Sequence, residues 1–124
     1  MKCLKIEPGK TPETIDIEPA LETLQNLVGG YIECVYPFEE DVCLIDNEEG
    51  KILNLPLNRA LRDEDGALID IIAGTFLVVA FTDDTFADLT DEQVEHYSHL
   101  YRYPEIFVRI DGRITALPAK ELVN

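Results

Sequence analysis

His96 and His99 stand three residues apart in a segment with helical spacing, one turn after Glu92 and Glu95. Residues three and four apart share a helix face, so this set could hold a metal ion. The same spacing also makes Glu92–His96 and Glu95–His99 ordinary pairs on a polar helix side, and no metal site is read from them. Asp63-Glu64-Asp65-Gly66 has some of the residues of a calcium loop. Gly66 takes loop position six only if Leu61 is position one, and the ligand pattern then fails. The chain carries no GxxxxGK(S/T), no GxGxxG and no GxSxG, so phosphate-loop, dinucleotide and nucleophile-elbow chemistry have no carrier. Carboxylates are so abundant that no chosen pair marks acid–base catalysis. The residues read as a non-enzyme without a cofactor.

Two other patterns have binding chemistry. Leu55-Pro56-Leu57-Asn58-Arg59-Ala60-Leu61-Arg62 puts two arginines and an asparagine in one segment of an otherwise acidic chain. Read as structure, Arg59 and Arg62 bridge nearby carboxylates such as Asp63 or Asp70. Read as function, Asn58, Arg59 and Arg62 line a loop pocket for an anion, with arginine as a bidentate donor. The second pattern is the acids. No Lys or Arg falls between Arg62 and Arg102, and a further acid-only stretch runs from Glu33 to Glu49. Glu39, Glu40, Asp41, Asp83, Asp84, Asp88, Asp91, Glu92 and Glu95 are the candidates for contact with a basic partner, whose opposite field would speed encounter.

The totals agree with that asymmetry. Twenty-five Asp and Glu against ten Lys and Arg leave a formal charge of −15 on 124 residues. Direct binding to nucleic acid or to anionic membranes is disfavoured, because both need basic surface. After Arg102 the sign relaxes, and a nearly neutral C-terminal hairpin is expected at residues 106–116. The length suits one domain, residues 1–124. The longest apolar stretch, Ala73 to Phe81, is about half of the roughly 20 residues a membrane span needs. Charge follows Met1-Lys2-Cys3-Leu4 directly, so no signal peptide is read and a cytoplasmic location is expected. Cys3, Cys34 and Cys43 are odd in number and lack metal-ligand spacing, which fits reduced thiols.

These residues need elements to position them. Alternation at Cys3–Glu7 and Thr14–Glu18 predicts two neighbouring strands around Pro8-Gly9. Pro19 opens a helix whose stripe is Leu21, Leu24, Leu27 and Val28, ended by Gly29-Gly30. Strands are expected over Tyr31–Pro37 and Val42–Ile45, with Lys51–Leu55 returning after a turn at Asn47–Gly50. Leu57–Leu61 reads as one helical turn. Thr75–Phe81 is the central strand. Thr90 and Gln93 form a capping box, with Leu89 and Val94 as a hydrophobic staple, opening a helix with Val94, Tyr97, Leu100 and Tyr101 on one face. Asp111-Gly112 turns the last hairpin. The fold class expected is α+β, a largely antiparallel sheet of about 6–8 strands with two helices packed on it.

Six segments also carry a resemblance. They are Ile6-Glu7-Pro8-Gly9-Lys10, Leu27-Val28-Gly29-Gly30-Tyr31-Ile32-Glu33, Asn47-Glu48-Glu49-Gly50-Lys51, Leu55-Pro56-Leu57-Asn58-Arg59-Ala60-Leu61, Ile72-Ala73-Gly74-Thr75-Phe76-Leu77-Val78 and Leu89-Thr90-Asp91-Glu92-Gln93. In their order and spacing, over about residues 3–102, the chain resembles a small uncharacterised family carried by phages and conjugative elements of Firmicutes. The resemblance implies an accessory protein of a mobile element, made in a bacterial host cell, and brings no catalytic residues with it. Small acidic proteins of such elements are often inhibitors of host defence, some of which imitate DNA. The expected function is therefore a non-enzymatic inhibitor of anti-CRISPR or anti-restriction type. Its partner would be a basic host-defence protein, a Cas9-type effector or a restriction enzyme, met through an acidic, DNA-mimicking surface. The alternatives are a sponge for a nucleotide signal, using Asn58, Arg59 and Arg62 with Tyr31 or Tyr36, and a regulatory or scaffolding module whose C-terminal hairpin is an edge for strand pairing or for a homodimer.

Overall fold

A computed structural model of the chain describes residues 1–120; residues 121–124 of the expected single domain lie outside it. The centre is β7 (Phe76–Phe81), the most continuous apolar run in the sequence. Its side chains alternate, so Phe76, Val78 and Ala80 enter one core layer while Leu77 and Val79 enter another. A strand apolar on both faces must be covered on both, and the rest of the chain does this.

β7 pairs antiparallel with β1 (Lys2–Ile6) on one side and β4 (Val42–Asn47) on the other. β2 (Glu13–Asp16) extends the sheet beyond β1, and β3 (Ile32–Val35) extends it beyond β4. The two-residue β8 (Phe86–Ala87) also pairs with β7, which makes a six-stranded antiparallel sheet. Helix α1 (Leu21–Val28) covers one face with Leu24 and Val28 against Cys3, Cys43, Ile45, Leu77 and Val79. Helix α2 (Asp91–Leu100) covers the other with Tyr97, flanked by Leu89 before the helix and Tyr101 at its C-cap, against Leu4, Val42, Phe76 and Val78. That second layer is completed by a separate ribbon of β5 (Leu57–Arg62) and β6 (Leu68–Ala73), which contributes Leu61 and Ile72. Each fully buried side chain of this size is worth about 1.5–3 kcal/mol, so the two layers dominate the stability of the sheet. The fold is α+β and mostly antiparallel, with the helices on opposite faces.

Local signals act as their chemistry dictates. Gly29 caps α1 in the left-handed conformation at φ 80°, and its N–H donates to the Gln25 carbonyl. The capping box of α2 is complete: Thr90 Oγ1 accepts from Gln93 N at 3.1 Å, and Gln93 Oε1 accepts from Thr90 N at 2.9 Å. Asp111 and Gly112 both have positive φ, 51° and 78°, as a two-residue hairpin turn of this hand requires. They join β9 (Glu105–Ile110) to β10 (Arg113–Pro118).

Three expectations are corrected. Residues 48–54 wind through consecutive turns instead of forming a return strand. Both edges of β4 are already occupied, by β3 and β7, so no position is left for one. Leu57–Leu61 is a strand rather than a helical turn, and Asn58 and Arg59 therefore lie in a sheet ribbon and not in a loop. Finally, Leu100 is half exposed, while Tyr97 and Tyr101 carry the buried face of α2.

Candidate functional site

The nine acidic candidates lie in three chain segments that the sheet brings toward one another. Val42 pairs with Ala80, so the loop before β4 meets the end of β7, and Phe81 N donates to the Asp41 carbonyl at 3.0 Å. This places Glu39, Glu40 and Asp41 beside the turn that holds Asp83 and Asp84. That turn is held by Thr82, whose Oγ1 accepts from Asp84 N and Thr85 N, leaving both aspartates exposed. From the other direction, Tyr97 Oη on α2 donates to Glu40 Oε1 at 2.5 Å. Burial and this carboxylate both push the Tyr97 phenol upward from its ordinary pKa. Glu40 and Glu92 then share the walls of an open cleft of about 340 Å³ with His96.

The remaining candidates behave differently. Asp91 is paired with Lys2 Nζ at 2.6 Å, which lowers its pKa through the hydrogen bond and the charge. Asp88 Oδ1 accepts from Lys2 N at 2.8 Å and so fixes the start of β1. Glu95 is exposed on α2, one turn after Glu92, and does not line the cleft. The rim therefore consists of Glu39, Glu40, Asp41, Asp83, Asp84 and Glu92, none of which has an ion-pair partner among the described residues. No group of three His, Cys, Asp or Glu side chains among the described residues converges closely enough to hold a metal ion. His96 instead stands edge-on to the Tyr97 ring, with centroids 4.7 Å apart.

The arginine segment is built for a different purpose. Arg59 is 1% exposed and donates through Nε and Nη2 to the Tyr101 carbonyl, through Nη2 to the Lys10 carbonyl at 2.6 Å, and through Nη1 to Asn58 Oδ1 at 2.9 Å and the Asn58 carbonyl. Every N–H of the guanidinium has an internal acceptor. Tyr101 is the C-cap of α2, so the cation sits where the helix dipole is negative. Burial pulls the Arg59 pKa down while Glu105 opposes that shift, and Glu105 Oε1 also accepts from Ala60 N. Asn58 Nδ2 reaches the Ile6 and Gly74 carbonyls, each at 2.8 Å. Arg62 Nη1 donates to the Gly66 carbonyl at 3.1 Å, and Nη2 to the Ala116 carbonyl at 3.2 Å. These three side chains join the ribbon to β1, α2 and β10 through backbone carbonyls rather than through Asp63 or Asp70.

The thiols are free. Burial pushes Cys3 up to about 11 and Cys43 up to about 12, far from the range of a reactive thiolate.

One buried acid was not among the candidates. Asp46 follows Val42 and Leu44 in the inward phase of β4 and is 8% exposed, directly across from Glu33 of β3. The signal was in the sequence, as an aspartate in register with core positions, but its partner depends on strand pairing.

No curated protein and no solved structure matches the chain. No helix among the described residues is long and apolar enough to cross a membrane. Residues 1–102, which end just before the β9–β10 hairpin, match the family model described as Domain of unknown function (DUF3846), and the chain belongs to that family.

Proposed function

We propose that this protein is a non-enzymatic binding module that offers its acidic rim to a basic, nucleic-acid-handling partner. In biological terms it would be an inhibitor of host defence, of anti-CRISPR or anti-restriction type, carried by a mobile element and acting in the cytoplasm of a bacterial host. The observation that supports this reading is the meeting of the Glu39–Asp41 loop with the Asp83–Asp84 turn, both without internal cations among the described residues. Duplex DNA carries about one charge per 1.7 Å of axis, and a protein that imitates it must gather carboxylates in the same way. A channel lined with Arg and Lys for target DNA would accept such a rim. The rival reading, an anion pocket at Asn58, Arg59 and Arg62, has little support, because the Arg59 donors are already engaged internally.

The test is capture of a purified Cas9-type effector, with and without guide RNA, and of restriction enzymes, over a salt series. Binding should compete with target DNA and weaken steeply with salt. The triple variant Asp41→Lys, Asp83→Lys, Asp84→Lys should bind about tenfold or more weakly and show a flatter salt slope. A variant that binds as the parent does would rule out the rim as the contact surface.

A further inference from the structure

A second acidic site lies at the opposite end of β4, and its chemistry differs from that of the rim. Glu33 and Asp46 are direct cross-strand neighbours in the β3–β4 ladder. Like charges placed opposite each other destabilise a sheet, and here one of the pair is buried. The two acids open onto a partly enclosed cavity of about 200 Å³, several times the ~30 Å³ share of one water molecule. Glu48 and Asp70 complete its acidic wall, and Lys51, which is ion-paired with Asp70, is the cation at its edge. The floor is backbone: a Cβ on Gly50 would lie 2.6 Å from the Ala73 carbonyl oxygen, so this wall is closed by chain contact.

Asp46 lines this cavity, and its Oδ1 is buried with no hydrogen-bond partner among the described residues. A buried polar atom left unpaired is costly, and native structures satisfy nearly all of them. The cavity therefore asks for a donor. A metal ion does not suit it, because no three of the described carboxylates converge on a point. Donors spread over several ångströms suit it better. A guanidinium has five N–H groups in a fixed planar fork and reads carboxylates two at a time.

We propose that the cavity bounded by Glu33, Asp46, Glu48 and Asp70 is a binding site for a guanidinium group, with Asp46 and Glu33 as its acceptors. The group would arrive either on a small molecule or on an arginine side chain, and the site does not depend on the acidic rim. Burial and the facing Glu33 carboxylate push the Asp46 carboxyl up to about 7, and Asp70 adds to that shift. Binding a cation must displace the proton, so affinity should rise as the pH rises.

The experiment is calorimetric titration of the full chain with two probes, agmatine and a blocked Gly-Arg-Gly peptide, at low salt. At least one probe should bind, more tightly at about pH 8 than at about pH 6. Asp46→Asn and Glu33→Gln should each weaken binding about tenfold or more, the size of one charge-assisted hydrogen bond. Glu18→Gln, an exposed acid just after β2 at the opposite edge of the sheet from β3, should leave it nearly unchanged. Preference for agmatine indicates a free ligand, and preference for the peptide indicates an arginine of a partner chain. Failure of both probes to bind at millimolar concentration overturns the proposal. So does binding that Asp46→Asn leaves intact, or Asp46-dependent binding of Mg²⁺ or Ca²⁺ in place of either probe.

Discussion

At the scale of single residues, Asp46 shows how one side chain sets a pH response. Its carboxyl is raised from the usual 3.8 to about 7 by burial first and by Glu33 second. Between those two values the folded chain holds a proton that the unfolded chain has released. Stability contributed here therefore falls as the pH climbs from about 4 through about 7, the reverse of a salt-bridged aspartate. Asparagine keeps the shape and removes the titration. Thermal melting of Asp46→Asn should resemble the parent near pH 4, then exceed it by a margin that grows up to about pH 8 and levels off. A difference that does not change with pH would show that Asp46 stays ionised through strong solvation. The other residue-scale lesson is that identity does not reveal destination. Two arginines three residues apart suggest an anion pocket by type alone, yet Arg59 is enclosed and Arg62 binds carbonyls.

Between elements, Arg59 is the joint. One guanidinium on β5 holds the C-cap carbonyl of α2 and the Lys10 carbonyl in the connection between β1 and β2. Replacing it with methionine preserves much of the apolar stem but leaves the Tyr101 and Lys10 carbonyls and Asn58 Oδ1 without this donor. Each unsatisfied buried acceptor costs about 1–3 kcal/mol. Chemical denaturation of Arg59→Met should therefore show a loss of about 3 kcal/mol or more, with Arg59→Lys between it and the parent. A loss below about 1 kcal/mol would mean that water replaces the guanidinium without difficulty. Legibility divides along the same lines. The α2 capping box, the Gly29 cap and the Asp111-Gly112 turn are local, and each was readable because its chemistry lies within a few residues. The β5–β6 ribbon was not. Its ladder shifts register between Leu57 and Arg59 and again between Leu61 and Arg62, so the buried run Asn58–Leu61 loses the two-residue period that identifies a strand. The same limit applied to the sites. The acids could be named from the chain, but the meeting of Asp41 with the Asp83–Asp84 turn, and of Glu33 with Asp46, is a consequence of strand order.

For the molecule as a whole, a formal charge of −15 is a standing repulsion that the fold must overcome. Internal compensation is slight. The ion pairs among the described residues involve Lys2, Lys5, Lys10, Lys51 and the N-terminus, all with at least one largely exposed or half-exposed partner except the long Lys5–Glu7 contact at 4.0 Å. Exposed pairs of this kind contribute about 0–1 kcal/mol, so screening them costs little. Salt shortens the reach of charge to about 10 Å at 0.1 M and should relieve the repulsion more than it weakens these pairs. The melting temperature of the free protein should thus rise as NaCl is increased from about 0.02 M to about 0.5 M. Binding of a basic partner through the rim should weaken over the same range, because there the charges attract. Opposite signs in the two measurements would separate the self-energy of the acidic surface from its use in recognition. A melting temperature that falls with salt would instead show that attractive pairs dominate the folded state, and that the acidic residues are matched internally more fully than their contacts indicate.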